Sequence, residues 1–118
     1  MKNINSIKKN EEFQKIYRTG KSYANKYLVM YLLENGTGEN RLGISVSKKV
    51  GNSVVRHRLT RLIRESYRLN EESFQCGYDF VVIARPSAKD KSYYDIESAL
   101  LHLGNLHHVR NREMMKEE

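Results

Sequence analysis

The chain has a single cysteine, Cys76, so no intramolecular disulfide can form. That excludes disulfide-stapled scaffolds and Cys-based zinc sites, and it favours a reducing compartment. Proline occurs once, glycine seven times and tryptophan not at all in 118 residues, which excludes collagen-like and low-complexity architectures. The longest uninterrupted apolar run is Tyr27 to Leu33, seven residues, against the roughly 20 that a membrane helix requires. The opening MKNINSIKKNEEF carries lysines with no apolar segment behind them and so lacks the parts of a secretory signal. A cytoplasmic protein is expected. There is no Walker loop and no dinucleotide fingerprint, since Gly36 and Gly38 fall in a turn-like segment.

What is present is charge of one sign in one place. Lysine and arginine number 21 against 14 acids, a formal net charge of +7. From Arg41 to Arg68 there are eight basic residues and one acid, Glu65, so this stretch of 28 residues carries the whole excess. Charge kept for solubility would be spread along the chain; a cluster is the footprint of a polyanion binder. Nucleic acid fits better than an anionic membrane, because the stretch has no Trp or Phe to enter a headgroup layer.

With 39% hydrophobic residues, no internal repeat and no linker, residues 1–118 read as one domain, with 105–118 a tail of little fixed structure. Asn10 is expected to cap a helix ending at Gly20, with Phe13, Ile16 and Tyr17 on one face. Residues 21–33 alternate as one strand, Leu28, Met30 and Leu32 on one side and Tyr23, Tyr27, Val29, Tyr31 and Leu33 on the other. The turn cluster ENGTGEN predicts a hairpin with Arg41 to Ser47, whose apolar face is Leu42, Ile44 and Val46. The tyrosine face would then lie beside small residues, either as a surface for a ligand or as core under a helix. Ser53 is expected to cap a helix over 53–69, Val55, Leu59, Leu62 and Ile63 forming its apolar stripe and the arginines its other side. Tyr78 to Ala84 reads as a buried strand, and Ser92 with Asp95 as the capping box of a last helix that Gly104 ends.

A nuclease acting without another component needs clustered carboxylates for metal, or a histidine with an activated partner. The acids Glu11 with Glu12, Glu71 with Glu72, and Asp79, Asp90 and Asp95 lack metal-site spacing, and His102, His107 and His108 lack a Cys or paired carboxylates. The residues themselves therefore describe an RNA or DNA binder. A ribosome-associated protein and a helix-turn-helix DNA reader both remain open, although the strand-like alternation of Arg41 to Ser47 disfavours the second.

The segment KKVGNSVVRHRLTRLIR, Lys48 to Arg64, resembles the signature of the protein component of bacterial ribonuclease P, a basic block opening a helix. The likeness extends to KNEEFQKIYRTG, to GISVSKK before the signature, and to the strand ending in IAR before Pro86. It implies an α/β (α+β) sandwich of the ribosomal protein S5 domain 2-like type, a mixed four-stranded sheet with about three helices and a left-handed βαβ crossover. It further implies an endoribonuclease in which a large RNA, holding Mg²⁺, cuts the 5′ leader from precursor tRNA, and a protein subunit with no catalytic residue and no obligate protein partner. Carried onto this chain, Lys48, Lys49, Asn52, Arg56, His57, Arg58, Arg61, Arg64 and Arg68 would face the catalytic RNA, and Phe13, Tyr17, Arg18, Tyr27 and Tyr31 the leader. Two positions depart from the family pattern: His57 stands where Asn is usual, and Thr60 where Lys is common.

Overall fold

The computed structural model describes residues 4–111. Asn25 breaks what the alternation predicts as one strand. Its side-chain oxygen accepts the backbone N–H groups of Tyr27 (3.2 Å) and Leu28 (3.0 Å), a side-chain turn that ends β1 (Lys21–Ala24) and starts its antiparallel partner β2 (Leu28–Glu34). Pairing of Tyr23 with Met30 moves Tyr23 to the Met30 face, away from Tyr31, and its ring meets that of His107 edge-on at 4.7 Å.

The expected hairpin between β2 and β3 (Arg41–Ser45) does not form. β4 (Tyr78–Ala84) lies between them, antiparallel to β2 and parallel to β3, in the order β1-β2-β4-β3. The physical reason lies in β4 itself: Phe80, Val81 and Val82 are fully buried, so both of its faces are covered, as befits a central strand. The intervening loop crosses the start of β4, where Asn35 donates to Asp79 (3.0 Å) and Asn40 accepts from the Tyr78 N–H (2.9 Å).

α1 (Asn10–Thr19) starts one residue earlier than expected, with Lys9 at the cap position and no side-chain cap, and its first turn carries Glu11 and Glu12. α2 (Ser53–Asn70) is capped by Asn52 rather than Ser53, the Asn52 oxygen accepting the Val55 N–H at 3.0 Å. It carries the chain from β3 to the parallel β4, the βαβ unit that the resemblance implies. α3 (Tyr93–Leu106) opens with the predicted Ser92 and Asp95 capping box.

Gly104 does not end α3; it is buried, and a Cβ there would stand 2.7 Å from the Phe74 ring. The residues after it are packed, contrary to the expected loose tail: His107 and Val109 are buried, and Gln75 N–H donates to the Val109 carbonyl. Residues 112–118 of that expected tail lie outside the described residues.

The main core fills one face of the sheet, where Leu28, Met30, Leu32, Phe80 and Val82 meet α2 through Leu59, Ile63 and Tyr67 and α3 through Ile96, Leu100 and Leu103. The other face is lightly covered. There Val81 packs against Ile16 of α1 and Ile7. Among the described residues no helix is long and apolar enough to cross a membrane.

Candidate nucleic-acid interface

α1 covers only part of its face of the sheet, and the cleft is the uncovered remainder. Ile16 is buried, whereas Phe13, Tyr17, Tyr31, Leu33 and Ile83 are half-buried around it. The Phe13 and Tyr17 rings stand 6.3 Å apart, and Tyr17 meets Tyr31 edge-on at 5.0 Å. Gly43 makes room for this arrangement, since a Cβ on it would lie 2.8 Å from the Phe13 ring. Burial raises the Tyr17 phenol above its ordinary pKa, partly offset by a hydrogen bond with Ser45. The Tyr17 phenol is therefore neutral at physiological pH and can approach a polyanion without repulsion.

α1 is held over the sheet by a network that the sequence reading missed. Arg41 donates twice to Asp79 (2.9 and 2.7 Å) and once to Glu12 (2.7 Å), joining the helix to β3 and β4. Arg41 is therefore neutralised rather than offered to a ligand.

The basic face of α2 is sorted in the same way. Arg68 pairs with Glu65, which holds the Glu65 carboxyl below its usual range. Asn52 uses its side-chain oxygen at the cap, leaving only its amide hydrogens to face outward. Arg56 donates to the Gly51 carbonyl (3.1 Å), and Arg58 to the Lys91 carbonyl (2.7 Å). Lys48, Lys49, His57, Arg61 and Arg64 are exposed. Among the described residues, none of Lys48, Lys49, Arg56, Arg58, Arg61 and Arg64 is in an ion pair. These six cations, at the end of β3 and along one helix, form a surface of uncompensated positive charge.

Of the residues expected at the cleft, Phe13, Tyr17 and Tyr31 are brought together, and Arg18 is exposed one residue beyond Tyr17. Tyr27 is not among them. It precedes β2 and packs against the main core on the opposite side of the sheet.

A family model described as Ribonuclease P matches residues 1–107. The ribonuclease P protein component of Lachnoclostridium phytofermentans is 59% identical over 104 residues, covering 88% of this chain and 90% of that protein. That of a Clostridium botulinum strain is 60% identical over 100 residues, 84% of this chain and 90% of the relative. The structure of Staphylococcus aureus RNase P protein matches with a TM-score of 0.84 at 41% identity, over 92% of this chain and all of that one. The RNase P protein of Thermotoga maritima matches with a TM-score of 0.79 at 31% identity, over 86% and 96%. With its whole fold and its signature helix matched by proteins of one kind, the chain belongs to the ribonuclease P protein family.

Proposed function

We propose that this chain, as the protein subunit of an endoribonuclease that matures the 5′ end of tRNA through its RNA component, acts with two separate surfaces. The exposed cations at Lys48 and Lys49 and along α2 bind the catalytic RNA. The cleft of Phe13, Tyr17 and Tyr31, with Arg18 at its rim, holds the single-stranded leader of precursor tRNA. The observation that carries this reading is the half-buried Tyr17 and Tyr31 pair, left uncovered by α1 on a sheet whose other face is closed. Rings stack on any base, and a leader that differs among tRNAs calls for that tolerance.

A Mg²⁺ held by this chain alone does not fit the side chains. Among the described residues no three His, Cys, Asp or Glu come together, and Glu12 and Asp79 share Arg41 between them. The reading puts the ion with the RNA and the holoenzyme in the cytoplasm, where its RNA substrates are made.

The test is Tyr31→Ala in the assembled holoenzyme. Affinity for precursor tRNA should fall by about 1 to 3 kcal/mol, the range for one base on one ring, with mature tRNA bound as before. A drop in melting temperature with equal loss on both substrates would return Tyr31 to the core and remove the cleft from the reading.

A further inference from the structure

Tyr27, drawn away from the other tyrosines, sits among cations that come from three separate stretches of sequence. The ammonium groups of Lys26 and Lys91 stand 5.6 and 5.4 Å from the centre of its ring. Arg85 donates its N–H to the Tyr27 carbonyl (2.9 Å) and its guanidinium to the Asn25 carbonyl (2.7 Å). Arg58 reaches from α2 to the carbonyls of Lys91 (2.7 Å) and Lys89 (3.5 Å). Both arginines are thus anchored on main-chain carbonyls, which fix their position without cancelling their charge.

Lys89, in the same loop, is exposed, and among the described residues none of Lys26, Arg58, Arg85, Lys89 and Lys91 is in an ion pair. Asp90 lies in the same loop, and Asp95 feels the Lys91 charge but has its carboxylate committed to Ser92 at the start of α3. The loop is itself held in place: Pro86–Ala88 form a 3-10 turn with Ala88 buried, and the Ser87 hydroxyl donates to the Lys26 carbonyl. Like charges gathered on a fixed backbone repel one another in the free protein, and a polyanion laid across them relieves that repulsion.

We propose that Lys26, Lys89 and Lys91, with Arg58 and Arg85, form a second binding site for RNA sugar-phosphate backbone, and that its occupant is the catalytic RNA. The inference rests on the reading of α2 as the surface for that RNA. Arg58 belongs to α2 and makes the two surfaces continuous. The leader is disfavoured as occupant because the patch lies on the α2 and α3 side of the sheet, opposite Tyr31, and because its one ring already faces two ammonium groups instead of a free base. Lysines present point charges, which suit phosphate and read no base edge.

The experiment compares the full-length triple variant Lys26→Ala, Lys89→Ala and Lys91→Ala with Arg61→Ala, Arg64→Ala, each titrated with ribonuclease P RNA over a salt series. For the triple variant the slope of log affinity against log salt should become shallower by about 2 to 3, with binding about tenfold or more weaker at physiological salt. Melting temperature, and the holoenzyme's preference for precursor over mature tRNA, should stay unchanged. Unaltered affinity and slope in the triple variant, with weakened binding in the α2 variant, would overturn the patch and leave the α2 reading standing. Unaltered binding in both would overturn the α2 reading and the patch with it. A loss confined to precursor tRNA, at full affinity for the catalytic RNA, would also overturn the proposal by assigning the patch to the substrate.

Discussion

The Arg41 guanidinium joins three elements through two carboxylates, and its protonation partner gives a way to measure that joint. Burial alone would raise the Asp79 carboxyl, but the Arg41 and Asn35 hydrogen bonds outweigh it and hold the group below its ordinary 3.8. A carboxyl with a depressed folded-state pKa stabilises the fold above its unfolded value, and that stability is lost as pH falls through the folded one. His107 adds an earlier slope. Burial pushes its imidazole below 6.5 while Nε2 donates to the Met30 carbonyl, so the unfolded chain takes up the proton first and stability declines as pH drops below 6.5. Asp79→Asn leaves that His107 slope intact and should cost roughly 2 kcal/mol at pH 7, less than a fully buried pair because Arg41 is a third exposed. The difference between wild type and variant should close below about pH 4. Urea titrations of both proteins at pH 7, 5 and 3 check this; a difference that stays constant with pH would show that Asp79 acts by shape and not by charge.

At the scale of elements, α2 has a boundary that serves both the fold and the proposed interface. Asn52 accepts the Val55 N–H and stands beside the cations at Lys48, Lys49 and Arg56. Asn52→Ala should destabilise the protein by about 1 kcal/mol through loss of the cap. Asn52→Asp keeps the cap and favours the positive helix end, so stability should hold or rise by a few tenths of a kcal/mol, yet affinity for the catalytic RNA should fall because a carboxylate now faces phosphate. Thermal unfolding beside RNA titration separates the two effects, and an Asp variant with full RNA affinity would remove Asn52 from the interface. Much of this helix is legible in sequence, since Val55, Leu59, Leu62 and Ile63 recur at the helical period and pack on the core as expected. Tyr78–Ala84 and the Ser92 box are legible for the same reason: each is specified by residues within a few positions of one another. Pairing is not local in that sense. Proximity in sequence favours a β2 and β3 hairpin, and only the burial of both faces of β4 puts it between them. The cleft was legible as rings at alternating positions, but Tyr23 and Tyr27 share that spacing and were displaced by the turn that Asn25 builds. The charge cluster overstated its reach, because the acids that neutralise Arg41 lie 29 residues before it and 38 after it in the chain.

Across the whole molecule the sheet divides the work. One face is closed by α2 and α3 over a continuous core, and that closure lets the other face stay open under a helix of ten residues. The segment after α3 is part of the closure. Val109 is buried in the same core as Phe74, Gln75 N–H donates to the Val109 carbonyl at 2.6 Å, and Asn111 N–H to the Ser73 carbonyl at 2.7 Å. These bonds tie the end of α3 to the turn after α2, while the His107 bond to Met30 ties it to the sheet. Ending the chain after Leu106 removes a buried valine, worth about 1.5 to 3 kcal/mol, and the three tertiary hydrogen bonds made through Val109, Asn111 and His107, of about 1 kcal/mol each, and it bares the Phe74 ring. The truncated protein should lose about 4.5 to 6 kcal/mol of stability in urea unfolding, and the amides of Gln75 and His107's acceptor strand should exchange faster with solvent. Where it remains folded, at low temperature, its affinity for the catalytic RNA should match that of the full chain, because among the described residues Arg56, Arg58, Arg61 and Arg64 make no hydrogen bond or ion pair with residues 107–111. Stability equal to the full chain would mean that residues 107–111 rest on the core without supporting it. Weaker RNA binding by fully folded protein would instead extend the interface to the end of α3.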